Sequence, residues 1–232
     1  MKLNGITKLV SIEVNRQPSA AVKGLALGTA VFIMLAAGAL PARAGIAQVN
    51  SRKALAGNDL LDWSQIAGLG TFSTPVNLTT NKGLAAILSS TGVLGPATEG
   101  AGVPWDGNFA DGAPLVFTGQ FGASGPIVIT FATPVSAVGA QMDYNQYAPP
   151  SHPFPFNITM SLYNGAGQLL AAFTAQGEMY AKDNNRAVFI GAVDSQAEIS
   201  QVVFSTTTTA APYPGSFAIN NVSIDAPRHC TQ

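Results

Sequence analysis

Cysteine and histidine are scarce in this 232-residue chain, which contains one cysteine and two histidines. The single Cys230 cannot form a disulfide within the chain or supply a cysteine-based zinc site, and two histidines are too few for a histidine metal cluster. His152 is the only internal histidine, and it follows a proline-rich segment with no Gly-x-Ser-x-Gly motif anywhere in the sequence. Serine or cysteine hydrolases that depend on a histidine base are therefore disfavoured.

Charged residues are also few, at 10% of the chain, whereas glycine (24) and proline (15) are frequent. This composition argues against a coiled coil, a charged disordered chain and a helical bundle. Hydrophobic residues make up 47% of the chain, which is enough for one sizeable core. The length then allows one domain or at most two.

The N-terminal 44 residues have the pattern of an export signal. An apolar run of residues 25–40 ends in Pro41-Ala42-Arg43-Ala44, which is a small-x-small cleavage pattern. The basic residues that precede the run are Lys2, Lys8, Arg16 and Lys23. Because the run is shorter than the roughly 20 residues that a membrane helix needs, we expect cleavage after Ala44 and secretion to the periplasm or beyond, without membrane insertion. The alternative is an uncleaved N-terminal anchor.

The chain that follows the signal is mildly acidic. Residues 45–232 contain six basic and eleven acidic residues, hence a net charge of −5. The six cations are dispersed along the sequence, so we expect no nucleic-acid partner. Cys230 lies in a segment, residues 227–232, that is predicted to be a disordered tail; its thiol is predicted to be unpaired, with an intermolecular disulfide as the alternative.

Hydrophobic residues recur with a period of two from residue 75 onward, as in Ile127–Phe131 and Asn157–Leu162. This alternation predicts half-buried strands. Asn164-Gly165 precedes a further run at Leu169–Thr174, and Asn-Gly between alternating runs predicts a hairpin. Other predicted strands are Val76–Thr80, Leu84–Ser89, Leu115–Thr118, Val135–Tyr144, Ala187–Val193, Gln201–Thr206 and Phe217–Asp225.

Within the last predicted strand the inward positions change parity between Phe217 and Val222, which predicts a β-bulge at Asn220-Asn221. Many short strands and little helical signal predict an all-β fold: an antiparallel, jelly-roll-like β-sandwich. We place a single domain at residues 59–226, after a flexible segment at residues 45–58.

Several sequence phrases resemble bacterial exported β-sandwich proteins of the PEP-CTERM type. They are Asp62-Trp63, Gly107–Gly112, Ile127–Val135, Val138-Gly139-Ala140 and Phe217–Ile224. The resemblance implies a secreted domain similar in architecture to carbohydrate-binding modules. No Pro-Glu-Pro motif, C-terminal membrane span or basic end follows Asp225, so the resemblance does not extend to the sorting tail.

Aromatic rings beside amide groups are the usual means of sugar binding, since a ring stacks on the C–H face of a pyranose. Two segments have this mixture, and the predicted ligand-binding residues are Trp105, Asn108, Tyr144, Asn145, Tyr147 and His152. The alternative is that Trp105 and Phe109 plug the end of the sandwich and that the tyrosine-proline segment is a rigid cover.

Oxygen-bearing side chains at short spacing suggest a calcium site at Asp106, Asn108 and Asp111. The alternative is that these residues form turns without an ion. No other cofactor is expected.

The function favoured by these observations is that of an exported, non-catalytic module that binds carbohydrate or exopolysaccharide at the cell surface or in the matrix. One alternative is a structural or adhesive protein that associates through exposed strand edges. Another is a glycan-active hydrolase with Asp143 and Glu178 as paired carboxylates. The oligomeric state stays open.

Overall fold

Fourteen strands, one short α-helix and one 3₁₀ helix make up the regular structure of the described residues. The computed structural model describes residues 45–100, 108–118, 125–145, 154–179, 186–207 and 216–227. The helices are α1 (Arg52–Leu55) and a 3₁₀ turn (Trp63–Ile66). The strands are β1 (Ile46–Val49), β2 (Asp59–Leu61), β3 (Val76–Thr79), β4 (Ala85–Ser89), β5 (Leu94–Thr98), β6 (Pro114–Thr118), β7 (Ile127–Val135), β8 (Ala137–Asn145), β9 (Phe154–Tyr163), β10 (Leu169–Met179), β11 (Val188–Asp194), β12 (Ile199–Thr207), β13 (Ser216–Asn220) and β14 (Val222–Asp225).

The strands form two antiparallel sheets. Sheet A has the order β1-β11-β8-β13-β6-β5, with β14 pairing β8 on one side and β2 on the other. Sheet B has the order β10-β9-β12-β7-β4-β3. The predicted all-β antiparallel sandwich is therefore confirmed. Among the described residues no helix has the length and apolar character that a membrane crossing requires.

The core lies between the two sheets and is built from the alternating residues of their strands. In β7, Ile127, Ile129 and Phe131 are at most 4% exposed. Ile158 and Met160 of β9 are fully buried in the same cluster, as are their neighbour Leu162 and Trp63 of the 3₁₀ turn. The period-two pattern thus identified the inward faces of these strands.

The predicted hairpin between β9 and β10 is present, but its turn is closed at a different glycine. The Gly167 amide donates to the Asn164 carbonyl at 2.9 Å, and Gly167, with φ of 73°, has the left-handed conformation. The Asn164 side-chain oxygen accepts from the amides of Ala166 and Gln168. Asn164 therefore acts through its side chain, and Gly167 supplies the positive φ.

The predicted bulge at Asn220-Asn221 is also present. Along β8 the partner changes from Ile219 opposite Met142 to Ser223 opposite Gly139, so one extra residue is inserted on the β13–β14 side. The residues that keep facing the core on both sides of the bulge are Phe217, Ile219, Val222 and Ile224, all fully buried. Before the bulge, β13 pairs with β6; after it, β14 pairs with β2.

The expectation of a flexible segment at residues 45–58 is wrong. Strand β1 pairs with β11 from Ile46 opposite Asp194 to Val49 opposite Gly191. Helix α1 follows, with Ser51 as its N-cap. Leu55 of α1 is 3% exposed and packs against Phe189 on the outer face of sheet A, so the segment is held by burial of apolar surface.

Candidate functional site

The described part of the connection between β5 and β6 includes residues 108–113, which lie against the outer face of sheet A. Its two ends pair through the Glu99 amide and the Ala113 carbonyl, 2.9 Å apart. Phe109 is 1% exposed and packs on Leu115 and Ala218, in a cluster separate from the core. The alternative to sugar binding was that Phe109 plugs the end of the sandwich. Phe109 is indeed buried, but it covers the outer face of a sheet and does not fill the space between the sheets.

Beside this anchor lies a buried carboxyl group, Asp143. Its neighbours in β8 face the core, so Asp143 faces outward, yet it is only 2% exposed. Its Oδ1 atom accepts from the Tyr144 amide at 2.9 Å, whereas Oδ2 has no hydrogen-bond partner among the described residues. Burial raises the pKa of Asp143 to about 7; the Tyr144 amide and the Asn108 side chain oppose the rise, and the charge of Glu99 adds to it.

Glu99, which is 3% exposed, is a neighbour of Asp143 that was not predicted from the sequence. The predicted partner of Asp143 was Glu178, but Glu178 is exposed and its Oε2 atom lies 3.1 Å from Nη1 of Arg186. A deeply buried carboxyl and a surface ion pair do not form the two open sides of a glycosidase cleft. The only signal for Glu99 was its position directly after a strand, and β5 itself was not predicted.

The predicted sugar-binding residues that the structure describes do not form one exposed surface. Tyr144 is 2% exposed and packs between the sheets, with its ring centroid 5.8 Å from that of Phe156. Its ring faces are therefore closed to a ligand, which corrects the expectation of an exposed ring. Asn108 is buried beside Asp143, and Asn145 ends β8. Trp105, Tyr147 and His152 lie outside the described residues.

The two predicted calcium ligands that the structure describes differ in exposure. Asn108 is buried, Asp111 is exposed, and Asp106 lies outside the described residues. Within the described ranges no three His, Cys, Asp or Glu side chains come together as a metal site. The calcium site stays a prediction.

An open hollow of about 390 Å³ lies beside α1, and positively charged side chains line it. Its lining includes Arg52 and Lys53 of α1 and Lys82 of the turn between β3 and β4. We call this hollow the basic cleft. Its remaining lining consists of Ala56, Gly57, Asn58, Asp59, Leu60, Asn81 and Ser223.

Arg52 holds α1 to the bulge and forms one wall of the basic cleft. Its guanidinium donates to the Ser223 hydroxyl, to Oδ1 of Asn220 at 3.0 Å and to the Asn221 carbonyl at 2.9 Å. It also lies 5.8 Å from the centre of the Phe189 ring. Partial burial lowers the pKa of Arg52 from a very high ordinary value, so the group stays charged at neutral pH.

The turn that carries Lys82 is fixed by a buried carboxylate. Asp59 accepts from the Thr80 hydroxyl, from the Leu60 amide at 2.8 Å and from the Lys82 amide at 3.0 Å. Gly83 closes the turn with φ of 89° and donates to the Thr80 carbonyl at 2.9 Å. The Lys82 side chain, by contrast, is exposed and has no partner among the described residues.

A second hollow of about 290 Å³ adjoins the basic cleft and shares Asn58, Asp59 and Lys82 with it. Its other lining residues are Leu84, Thr133, Ala226 and Pro227. We call it the apolar annex. Together the two hollows offer ammonium and amide groups beside aliphatic surface, an arrangement suited to a ligand that is polar on its rim and apolar on one face.

Comparison with known proteins gives no family assignment. No protein-family model and no curated protein matches the sequence. A DUF4465 family protein from Bacteroides caccae is a structural neighbour at TM-score 0.43 and 12% identity, covering 72% of this chain and 100% of that one. The carbohydrate-binding module TmCBM61, solved with β-1,4-galactotriose, matches at TM-score 0.34 and 9% identity over 61% of this chain and 88% of that one. At such low scores these likenesses carry no functional argument.

Proposed function

We propose that this chain is an exported β-sandwich module that binds polysaccharide without changing it chemically, at the cell surface or in the extracellular matrix. The observation that carries the proposal is the pair of adjoining hollows, the basic cleft and the apolar annex, which share Asn58, Asp59 and Lys82. The predicted export signal at residues 1–44 and the resemblance to PEP-CTERM-type proteins support the location.

The lining suits a sugar because it combines available polar groups with aliphatic surface. Lys53, Asn81 and Lys82 have exposed side chains without hydrogen-bond partners among the described residues, so they are open to the hydroxyl groups of a ligand. Leu84 and Pro227 supply apolar surface next to them. A pyranose likewise has both polar and apolar surface, with hydroxyl groups around its rim and C–H groups on its faces.

The same lining favours binding over hydrolysis. Asp59 is the one carboxylate among the described lining residues of the two hollows, and its oxygens already accept three hydrogen bonds that fix the local backbone. General acid and base chemistry on a glycosidic bond needs a pair of carboxylates able to reach the substrate. The described lining residues of the two hollows include no such pair of carboxylates, and this supports a binding role.

The test is a screen of the purified protein against neutral and acidic polysaccharides, with calcium and with a chelator. We expect binding that weakens in Asn81→Ala. Trp105→Ala and Tyr147→Ala in the same screen test whether these two aromatic residues, which the sequence predicts to bind sugar, contribute to affinity. A folded protein that binds none of the polymers would contradict the proposal.

Assembly through a sheet edge is the second candidate function, and strand β10 favours it. This edge strand of sheet B runs for eleven residues, and residues 169–177 carry no charge to discourage strand addition. Its outward residues include Ala172, Thr174 and Gln176. Concentration-dependent assembly that is abolished by Gln176→Lys, without affinity for glycans, would favour this function over polysaccharide binding.

A further inference from the structure

The positive charge of the described chain is concentrated in one place. Of the four lysines and arginines among the described residues, Arg52, Lys53 and Lys82 line the basic cleft, and only Arg186 lies elsewhere. The chain from residue 45 onward has a net charge of −5, so a local excess of cations runs against the overall balance. The described lining residues of the basic cleft include three cations and one acid, Asp59, hence a net charge of +2.

None of these three cations is neutralised by a carboxylate partner within the described structure. The ion pair found there joins Arg186 to Glu178, away from the basic cleft. The hydrogen bonds of Arg52 go to neutral acceptors, and Lys53 and Lys82 extend into solvent. A ligand that brings negative charge therefore gains electrostatic attraction without displacing an internal ion pair.

The arrangement discriminates among anions. The Arg52 guanidinium already donates hydrogen bonds to residues of the bulge. It is therefore not available for the bidentate hydrogen bonding by which arginine binds phosphate groups. Two exposed ammonium groups on separate elements instead suit single charges spaced along a chain. The adjoining Leu84 and Pro227 provide the apolar contact that the sugar ring between such charges needs.

We propose that the basic cleft and the apolar annex bind an acidic polysaccharide whose sugar rings carry carboxylate groups, with Lys53 and Lys82 pairing with the carboxylates. The inference rests on the proposed polysaccharide-binding function and names the substrate class of that same site. It predicts that affinity depends on the charge of the polymer and falls with added salt, because pairs exposed to solvent are screened.

The experiment compares polygalacturonate with its methyl ester, which keeps the sugar ring and removes the charge. The double variant Lys53→Gln with Lys82→Gln replaces both ammonium groups with neutral amides, and both side chains are exposed, so we expect folding to be preserved. We expect polygalacturonate to bind about tenfold more weakly to the double variant, since each exposed pair contributes modestly. Arg186→Gln removes one positive charge elsewhere and leaves binding unchanged.

Four results would overturn the inference, and the last of them would also overturn the proposed function. If the methyl ester bound as tightly as the acid, or if a neutral glucan bound more tightly, the role of charge would be refuted and polysaccharide binding would stand. Full affinity for polygalacturonate in the double variant would place the site elsewhere. Equal binding of polyglutamate, which has carboxylates and no sugar ring, would refute the polysaccharide class. No binding of any saccharide polymer, neutral or acidic, would refute the proposed function itself.

Discussion

The buried carboxyl group of Asp143 makes the stability of this protein depend on pH in a direction opposite to that of most acidic residues. The pKa of Asp143 rises to about 7 from the ordinary value of 3.8, chiefly because the group is buried. Between these two pH values the folded state holds a proton that the unfolded chain has released. The free energy of unfolding therefore falls as the pH rises through this window.

The size of the effect follows from the shift. About three pKa units at 1.36 kcal/mol each correspond to roughly 4 kcal/mol, an order-of-magnitude value that is present below pH 3.8 and lost above pH 7. Asp143→Asn replaces the carboxyl with a group of the same shape that carries no charge. At pH 8 we expect the variant to be about 2–4 kcal/mol more stable than the parent protein, with the gain disappearing near pH 4.

The assay is urea denaturation at pH 4 and pH 8 in the presence of a chelator, followed by tryptophan fluorescence. Asp111→Asn serves as the control, because it removes an exposed carboxylate from the connection between β5 and β6. We expect little change in its stability at either pH. Asp143→Asn being less stable than the parent protein at pH 8 would refute the reasoning. Stabilisation of the parent protein by calcium at pH 8, lost in Asp143→Asn, would instead assign the carboxylate to an ion.

Three further substitutions test the packing described above by thermal or urea denaturation. Gly139→Ala would place a Cβ atom 2.7 Å from the Cα of Gly191 and 2.8 Å from Leu55, so we expect a loss of about 1–3 kcal/mol; an unchanged melting temperature would contradict the close docking of α1. Phe109→Ala removes a fully buried ring and should cost about 3–5 kcal/mol, whereas a cost below 1 kcal/mol would mean that the ring is not an anchor. Asn164→Ala removes the acceptor of two turn amides and should cost about 1 kcal/mol; no loss would show that Gly167 alone defines the hairpin.

The parts of the fold that were predictable are those whose sequence repeats a local rule. Strands β7 and β9 are long enough to show period-two burial, and the parity change at Asn220-Asn221 marked the bulge without knowledge of its partners. Strand β5 reads Leu-Gly-Pro-Ala-Thr, a poor strand sequence, and forms because its position at the edge of sheet A leaves the proline nitrogen without a required partner. Such a strand is specified by its neighbour β6 and not by its own residues.

The candidate site was less predictable because its residues are distant in sequence. Arg52 and Lys53 precede Lys82 by about thirty positions, and along the chain these cations appear dispersed. They converge because Asp59 of β2 binds the turn that carries Lys82, while Arg52 ties α1 to the bulge after β13. Neither contact has a local sequence signature, since each joins segments that meet only in the folded sandwich.

Binding and stability are separable in this arrangement, because different residues build the basic cleft and present its charge. Gly139 and Gly191 let α1 lie close to sheet A, so a side chain at Gly139 displaces the helix that carries Arg52 and Lys53 and should weaken polygalacturonate binding together with stability. Lys53→Gln with Lys82→Gln should weaken binding alone, because neither side chain is packed. Phe109→Ala should reduce stability while leaving the affinity of the folded protein unchanged, since Phe109 packs in a cluster that contributes no residue to the lining of either hollow.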